Sequence, residues 1–156
     1  MRGRFFRPVV SVILSAAASL GCQRQRTESN PQSPEVLLAG AFERAAKPAE
    51  GEAEIVRQDD RFELRLHRVR VASTRPVRVY LVGAERASTT RSVVEAELKY
   101  DMDELKPGLA EQVIALPSEP DPALRSVVLW DSAFSVNLSF AALRRPTADA
   151  AVHSPR

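Results

Sequence analysis

The sequence predicts an all-β domain: a two-layer antiparallel β-sandwich or flattened barrel with at most one short helical turn, preceded by a signal peptide and a polar tether. Two observations predict it. Apolar and polar residues alternate with period two in several short runs, as in strands with one face buried and one wet. Turn-forming residues separate those runs, and several short strands between turns suit a sandwich or barrel.

The elements follow in chain order. Val36–Phe42 (VLLAGAF) and Glu52–Arg57 (EAEIVR) read as strands. In RFELRLHRVRVA, Phe62, Leu64 and Leu66 alternate with Arg61, Glu63, Arg65 and His67. In VRVYLVG, Val77, Val79 and Leu81 share one face, with Arg78 and Tyr80 opposite. SVVEAEL, Ser92–Leu98, and QVIALP, Gln112–Pro117, are further strand candidates. Between them, MDELKPG predicts the helical turn, with Asp101 or Asp103 as its cap and Pro107 and Gly108 as its end. SVVLW, Ser126–Trp130, is uniformly apolar, as a central strand covered on both faces would be. FSVNLSF sets Phe134, Val136, Leu138 and Phe140 on one face against Ser135, Asn137 and Ser139. Burying each such apolar side chain stabilises by about 1.5–3 kcal/mol, enough in sum to hold two layers together.

The folded unit spans residues 35–144. Residues 1–21 read as a signal peptide: Arg2, Arg4 and Arg7 precede an apolar run from Val9 to Leu20 that is too short to cross a bilayer. Residues 22–34 form a polar tether containing Pro31 and Pro34. Residues 145–156 form a tail expected to be disordered.

The leader also explains the charge. The whole chain has 22 bases and 20 acids. Removing the three leader arginines leaves the bases one short of the acids. A nearly neutral chain without a basic patch has no means of neutralising phosphates, so nucleic acid is not expected as a partner.

Little in the sequence points to catalysis. No G-x-S-x-G elbow accompanies the serines. The two histidines are far apart: His153 is in the tail, and His67 is on the wet face of a charged strand. Cys22 is the only cysteine. No metal or cofactor constellation emerges from this set, and no enzyme activity is expected. Asp101, Asp103 and Glu104 form the densest acid cluster, but they lack the spacing of a calcium loop and are better explained by helix capping. The sequon at Asn137 reads as chance.

Ser19-Leu20-Gly21-Cys22 resembles the lipobox of bacterial lipoproteins. Gly21 and Cys22 fit it, whereas Ser19 stands where the pattern has Leu. The resemblance implies a diacylglycerol on Cys22, with membrane lipid as a partner. Acyl chains contribute about 0.8 kcal/mol per buried CH₂ group, and more than one chain gives stable anchoring. Gln23 after the cysteine implies the outer membrane, on its periplasmic side.

A second resemblance covers the folded unit. Gly40-x-Phe42, Gly51-x-Ala53-x-Ile55, Val79-Tyr80-Leu81, Leu105-Lys106 and Leu116-Pro117 occur in order. The closing set is Ser126-Val127-Val128-x-Trp130-x-x-x-Phe134-Ser135-Val136. This order is similar to the DM-thirteen domain of animal and bacterial exported proteins. The resemblance implies a β-sandwich and an electron-transfer role through a cysteine directly after the tryptophan. Trp130 and Asp131 are the family-site positions here, and Asp131 stands where the cysteine would be. A carboxylate cannot cycle through a disulfide or sulfenic acid. Asp131 reads first as a turn residue bonding its own backbone. If the position still binds something, an acid there favours a cation or a hydrogen-bond donor. The expectation is therefore a membrane-anchored module that binds an envelope protein or a small ligand without catalysis. A redox accessory using a bound cofactor is the alternative.

Overall fold

The computed structural model describes residues 33–147. The leader, Cys22, the tether through residue 32 and the tail from residue 148, His153 included, lie outside the described residues. The strands are β1 (Glu35–Arg44), β2 (Ala49–Gln58), β3 (Arg61–Val71), β4 (Val77–Val82), β5 (Lys99–Glu104), β6 (Glu111–Leu116), β7 (Ser126–Asp131) and β8 (Val136–Ala142). One short helix, α1 (Thr90–Val94), lies between β4 and β5.

All eight strands belong to one antiparallel sheet in the order β5-β4-β7-β8-β1-β2-β3-β6. Its outer strands, β5 and β6, are drawn together, so the sheet nearly closes into a flattened barrel. The inward side chains of the alternating strands fill the interior. Ile55, Leu64, Leu66, Val79, Leu81, Val127 and Leu129 are all essentially inaccessible to solvent.

A second, smaller core lies outside the barrel wall. The connection carrying α1 folds over β4, β7 and β8, and Ala87 and Val93 pack against Val82, Val128, Trp130 and Phe140. This cover is why β7 is buried along its whole length, as its uniform apolarity predicts. Backbone of the same connection is pinned to the sheet by the Ser126 hydroxyl, which donates to Ala84 O at 2.8 Å.

Gly40 lies where β1 passes from one neighbour to the other. β1 pairs with β2 from Val36 to Ala41 and then with β8 from Phe42 to Arg44. At the crossing, a Cβ on residue 40 would stand 2.2 Å from the Ala142 carbonyl oxygen. Only glycine lets the two backbones approach that closely.

Three expectations need correction. MDELKPG is not a helical turn, and its acids are not helix caps: Lys99–Glu104 is the edge strand β5. Its charged residues suit an edge exposed to water, where they discourage pairing with another chain. Arg78 reaches across from β4 to Asp101, with 2.6 Å between Nη2 and Oδ1. That hydrogen bond holds the guanidinium above its ordinary pKa.

Ser92–Leu98 is not a strand. Its first residues complete α1, whose cap is Thr89. The Thr89 Oγ1 accepts from Ser92 N at 3.1 Å, and Ser92 Oγ accepts from Thr89 N at 3.2 Å. This reciprocal capping outweighs the β-branched pair Val93-Val94.

The third correction concerns β8. Phe134, Val136, Leu138 and Phe140 do not share a face. Phe134 lies in the turn, Val136 and Leu138 join the barrel interior, and Phe140 joins the outer core. A register shift opposite Leu129 and Trp130 changes the phase of the alternation. Because both sides of β8 are covered, Asn137 and Ser139 are buried as well.

Candidate functional site

Neighbouring strands run antiparallel, so β1, β3, β5 and β7 all run toward the same end of the barrel. The four connections that leave them gather there: residues 45–48, 72–76, 105–110 and 132–135. Their charged residues are Lys47, Arg75 and Lys106, with no acid among them. The opposite end, where β1 begins and β8 finishes, is richer in acids. Asp59 and Asp60 share one of its turns, and Glu119 and Asp121 share another.

Asp131 closes β7 at the cationic end, directly opposite Val77 of β4. It is only 5% exposed. Its Oδ1 accepts from the backbone N–H of Ala133 at 2.9 Å and of Phe134 at 3.2 Å. The carboxylate therefore shapes the β7–β8 turn, as a turn-forming Asp does. The hydrogen-bond donors it holds belong to its own backbone. Ser135 completes the turn with a left-handed φ of 51°.

That turn presents Phe134 to solvent at 63% exposure. The Arg75 guanidinium lies over the ring, 4.0 Å from its centroid. An arginine stacked on an aromatic face gains about 0.5–1 kcal/mol at an exposed site and loses freedom to turn away. Asp131 thus orders the turn, the turn places Phe134, and Phe134 orients Arg75.

Beside Arg75 opens a cavity of about 390 Å³. Val69–Val71 and Ser73–Val77 form one wall, and Glu104, Leu105, Pro107 and Gly108 form the other. Valine and leucine side chains give it an apolar floor. Arg70, Ser73, Thr74 and Arg75 are the polar residues of one wall, and Glu104 is the single acid in the lining. Just beyond it, the Gln112 side chain joins the two edge strands. Its Oε1 accepts from Lys106 N at 2.8 Å, and its Nε2 donates to Glu104 O at 2.9 Å.

Trp130 points the other way, into the outer core, and is 9% exposed. Tyr80 meets it edge to face, with 6.1 Å between centroids. Adjacent in sequence, Trp130 and Asp131 therefore serve opposite faces of the sheet. His67 is half-buried on the charged outer face of β3, its Nε2 3.1 Å from Glu54 Oε2 and its Nδ1 3.8 Å from Glu111 Oε1. The structure does not bring it near Asp131. Cys22 lies outside the described residues.

Sequence reasoning passed over Arg75, Phe134 as an exposed residue, and Gln112. Only the strand order shows that cations from three separate connections meet at one end.

The electron transfer DM13 family model matches residues 41–143, from the middle of β1 to the residue after β8. The chain belongs to the DM13 family. No curated protein matches the chain, and no solved structure does. The DM13 match contains Trp130 and Asp131 but not Cys22, the sole cysteine.

Proposed function

We propose that this DM13 domain is a non-catalytic binding module of the bacterial cell envelope, anchored by lipid on Cys22 and facing the periplasm, with the outer membrane preferred. It binds an envelope protein or a small ligand at the cationic loop end. The observation that carries this reading is the state of Asp131. At the family's cysteine position stands a carboxylate occupied by two backbone N–H groups of its own turn. A group spent on local structure, and unable to change oxidation state, favours a recognition role over a thiol-based one. The geometry of the chain supports the same reading. β1 begins at the opposite end, so a tether entering there leaves the loop end free to meet a partner.

Purification from native membranes tests it, with mass spectrometry of the N-terminus and of whatever is bound. A diacylated Cys22 and a bound partner without redox chemistry are the expected result.

Family membership favours one second reading, a redox accessory that carries electrons through a bound cofactor. A haem or flavin band in the visible spectrum of the native protein would establish that reading and displace the first.

A further inference from the structure

We infer that the cavity beside Arg75 binds a small organic anion with an apolar body, its anionic group held by Arg75. The inference deepens the binding reading above and rests on it.

Three features of the cavity argue for this ligand class. The first is size: about 390 Å³ lies within the usual range for small-molecule sites, though near its lower end. The second is the lining. Val69, Val71, Val77 and Leu105 offer apolar surface, which a fully hydrated inorganic ion would leave unused. The third is charge. Arg75 stands on the wall across from the one acid of the lining, Glu104, and among the described residues it forms no ion pair. Arginine presents a planar fork of donors that matches a carboxylate, sulfonate or phosphate. The Phe134 ring already holds Arg75, so less conformational freedom is lost when it binds.

Wider electrostatics act in the same direction. Lys47 and Lys106 stand on neighbouring connections of the same end. Lys47 Nζ donates to Ala72 O at 2.9 Å, which places its charge next to the loop that carries Arg75. Three cations on connections that carry no acid draw an anion toward the cavity.

The test uses anilinonaphthalene sulfonate, which joins an aromatic body to a sulfonate, and its uncharged analogue phenylnaphthylamine. Each is titrated into the isotope-labelled full chain and followed by fluorescence and by backbone amide shifts. The sulfonate should saturate a single site, with shifts centred on Val69–Val77 and Leu105–Gly108, and should bind roughly tenfold more tightly than the uncharged probe. Arg75→Gln should weaken sulfonate binding by a similar factor. Arg57→Gln, paired with Glu35 where β1 begins at the opposite end, should leave it unchanged. These arginines are exposed, so an unchanged amide spectrum in the free variants checks that the fold persists. Equal affinity for the two probes, an Arg75→Gln variant that binds like the parent, or shifts centred elsewhere would each overturn the inference. Two outcomes separate it from the reading it rests on. A native ligand with no anionic group removes this inference and leaves the binding module. A flavin or haem band removes the binding module itself.

Discussion

Gln112 reaches from β6 across the gap in the barrel wall and donates from Nε2 to the carbonyl oxygen of Glu104, 2.9 Å away at the end of β5. The same amide accepts from Lys106 N. One buried side chain therefore substitutes for the strand pairing that β5 and β6 lack. It also fixes the wall of the cavity formed by Glu104 and Leu105.

Replacing Gln112 with Leu keeps the volume but removes both bonds. The Lys106 N–H and Glu104 carbonyl then lose their partners, at an expected cost of about 1–3 kcal/mol. Urea denaturation measures it. Hydrogen exchange should also speed up along β5 and β6 before it does in β7. A variant as stable as the parent would show that the seam closes without the clasp.

Asp131→Ala should cost about 1–2 kcal/mol, because two backbone N–H groups lose their acceptor. Asp131→Asn keeps an acceptor oxygen and should recover most of that loss. The turn matters beyond stability, since it places Phe134 under Arg75. In the alanine variant, the Phe134 ring resonances should move toward those of an unstacked phenylalanine. Thermal melts of the two variants give the first comparison and aromatic spectra the second.

Gly40→Ala should be far more damaging than Gly108→Ala. The first puts a methyl 2.2 Å from the Ala142 carbonyl oxygen, and only a shift of β1 or β8 relieves it. About 3 kcal/mol or more is expected, at the upper end for overpacking. The second meets nothing within 4 Å. Its cost is that of an L-residue at φ +83°, about 1–2 kcal/mol. Denaturation midpoints of the two variants decide the order.

Asn137 is 1% exposed, and its Nδ2 donates to Ala87 O beneath the α1 connection. Asn137→Asp replaces that donor with a carboxylate facing a carbonyl oxygen. Burial and the lost bond raise the new group's folded pKa above its unfolded value. The protonated acid can still donate to Ala87, so stability is retained below about pH 4, the ordinary carboxyl range, and falls as pH rises through the folded pKa. The gap between variant and parent should thus be wider at neutral pH than in acid, as read from denaturation at both.

Much of the fold was legible because it rests on local signals. Alternation in Phe62–Leu66 and Val77–Leu81 marks strands wherever one face meets a core, and both runs are strands here. The apolar run Ser126–Trp130 announced a strand covered on both sides. The family pattern was legible too. Local signals misled where two of them competed. The acids of Asp101–Glu104 suit a helix cap and an exposed edge strand equally well. Val93-Val94 suggests a strand until the Thr89–Ser92 capping pair is weighed. Neither choice is made within the segment: pairing with β4 decides the first, and packing onto Trp130 contributes to the second.

By itself, the sequence determined the all-β class and the family, since each follows from residue identity or short-range periodicity. Tertiary structure alone decided that a single sheet nearly closes, that Gln112 holds the seam, and that Lys47, Arg75 and Lys106 lie at the same end. The physical reason is distance along the chain. Those three cations lie on connections separated by whole strands, and only the antiparallel order of the sheet brings them together.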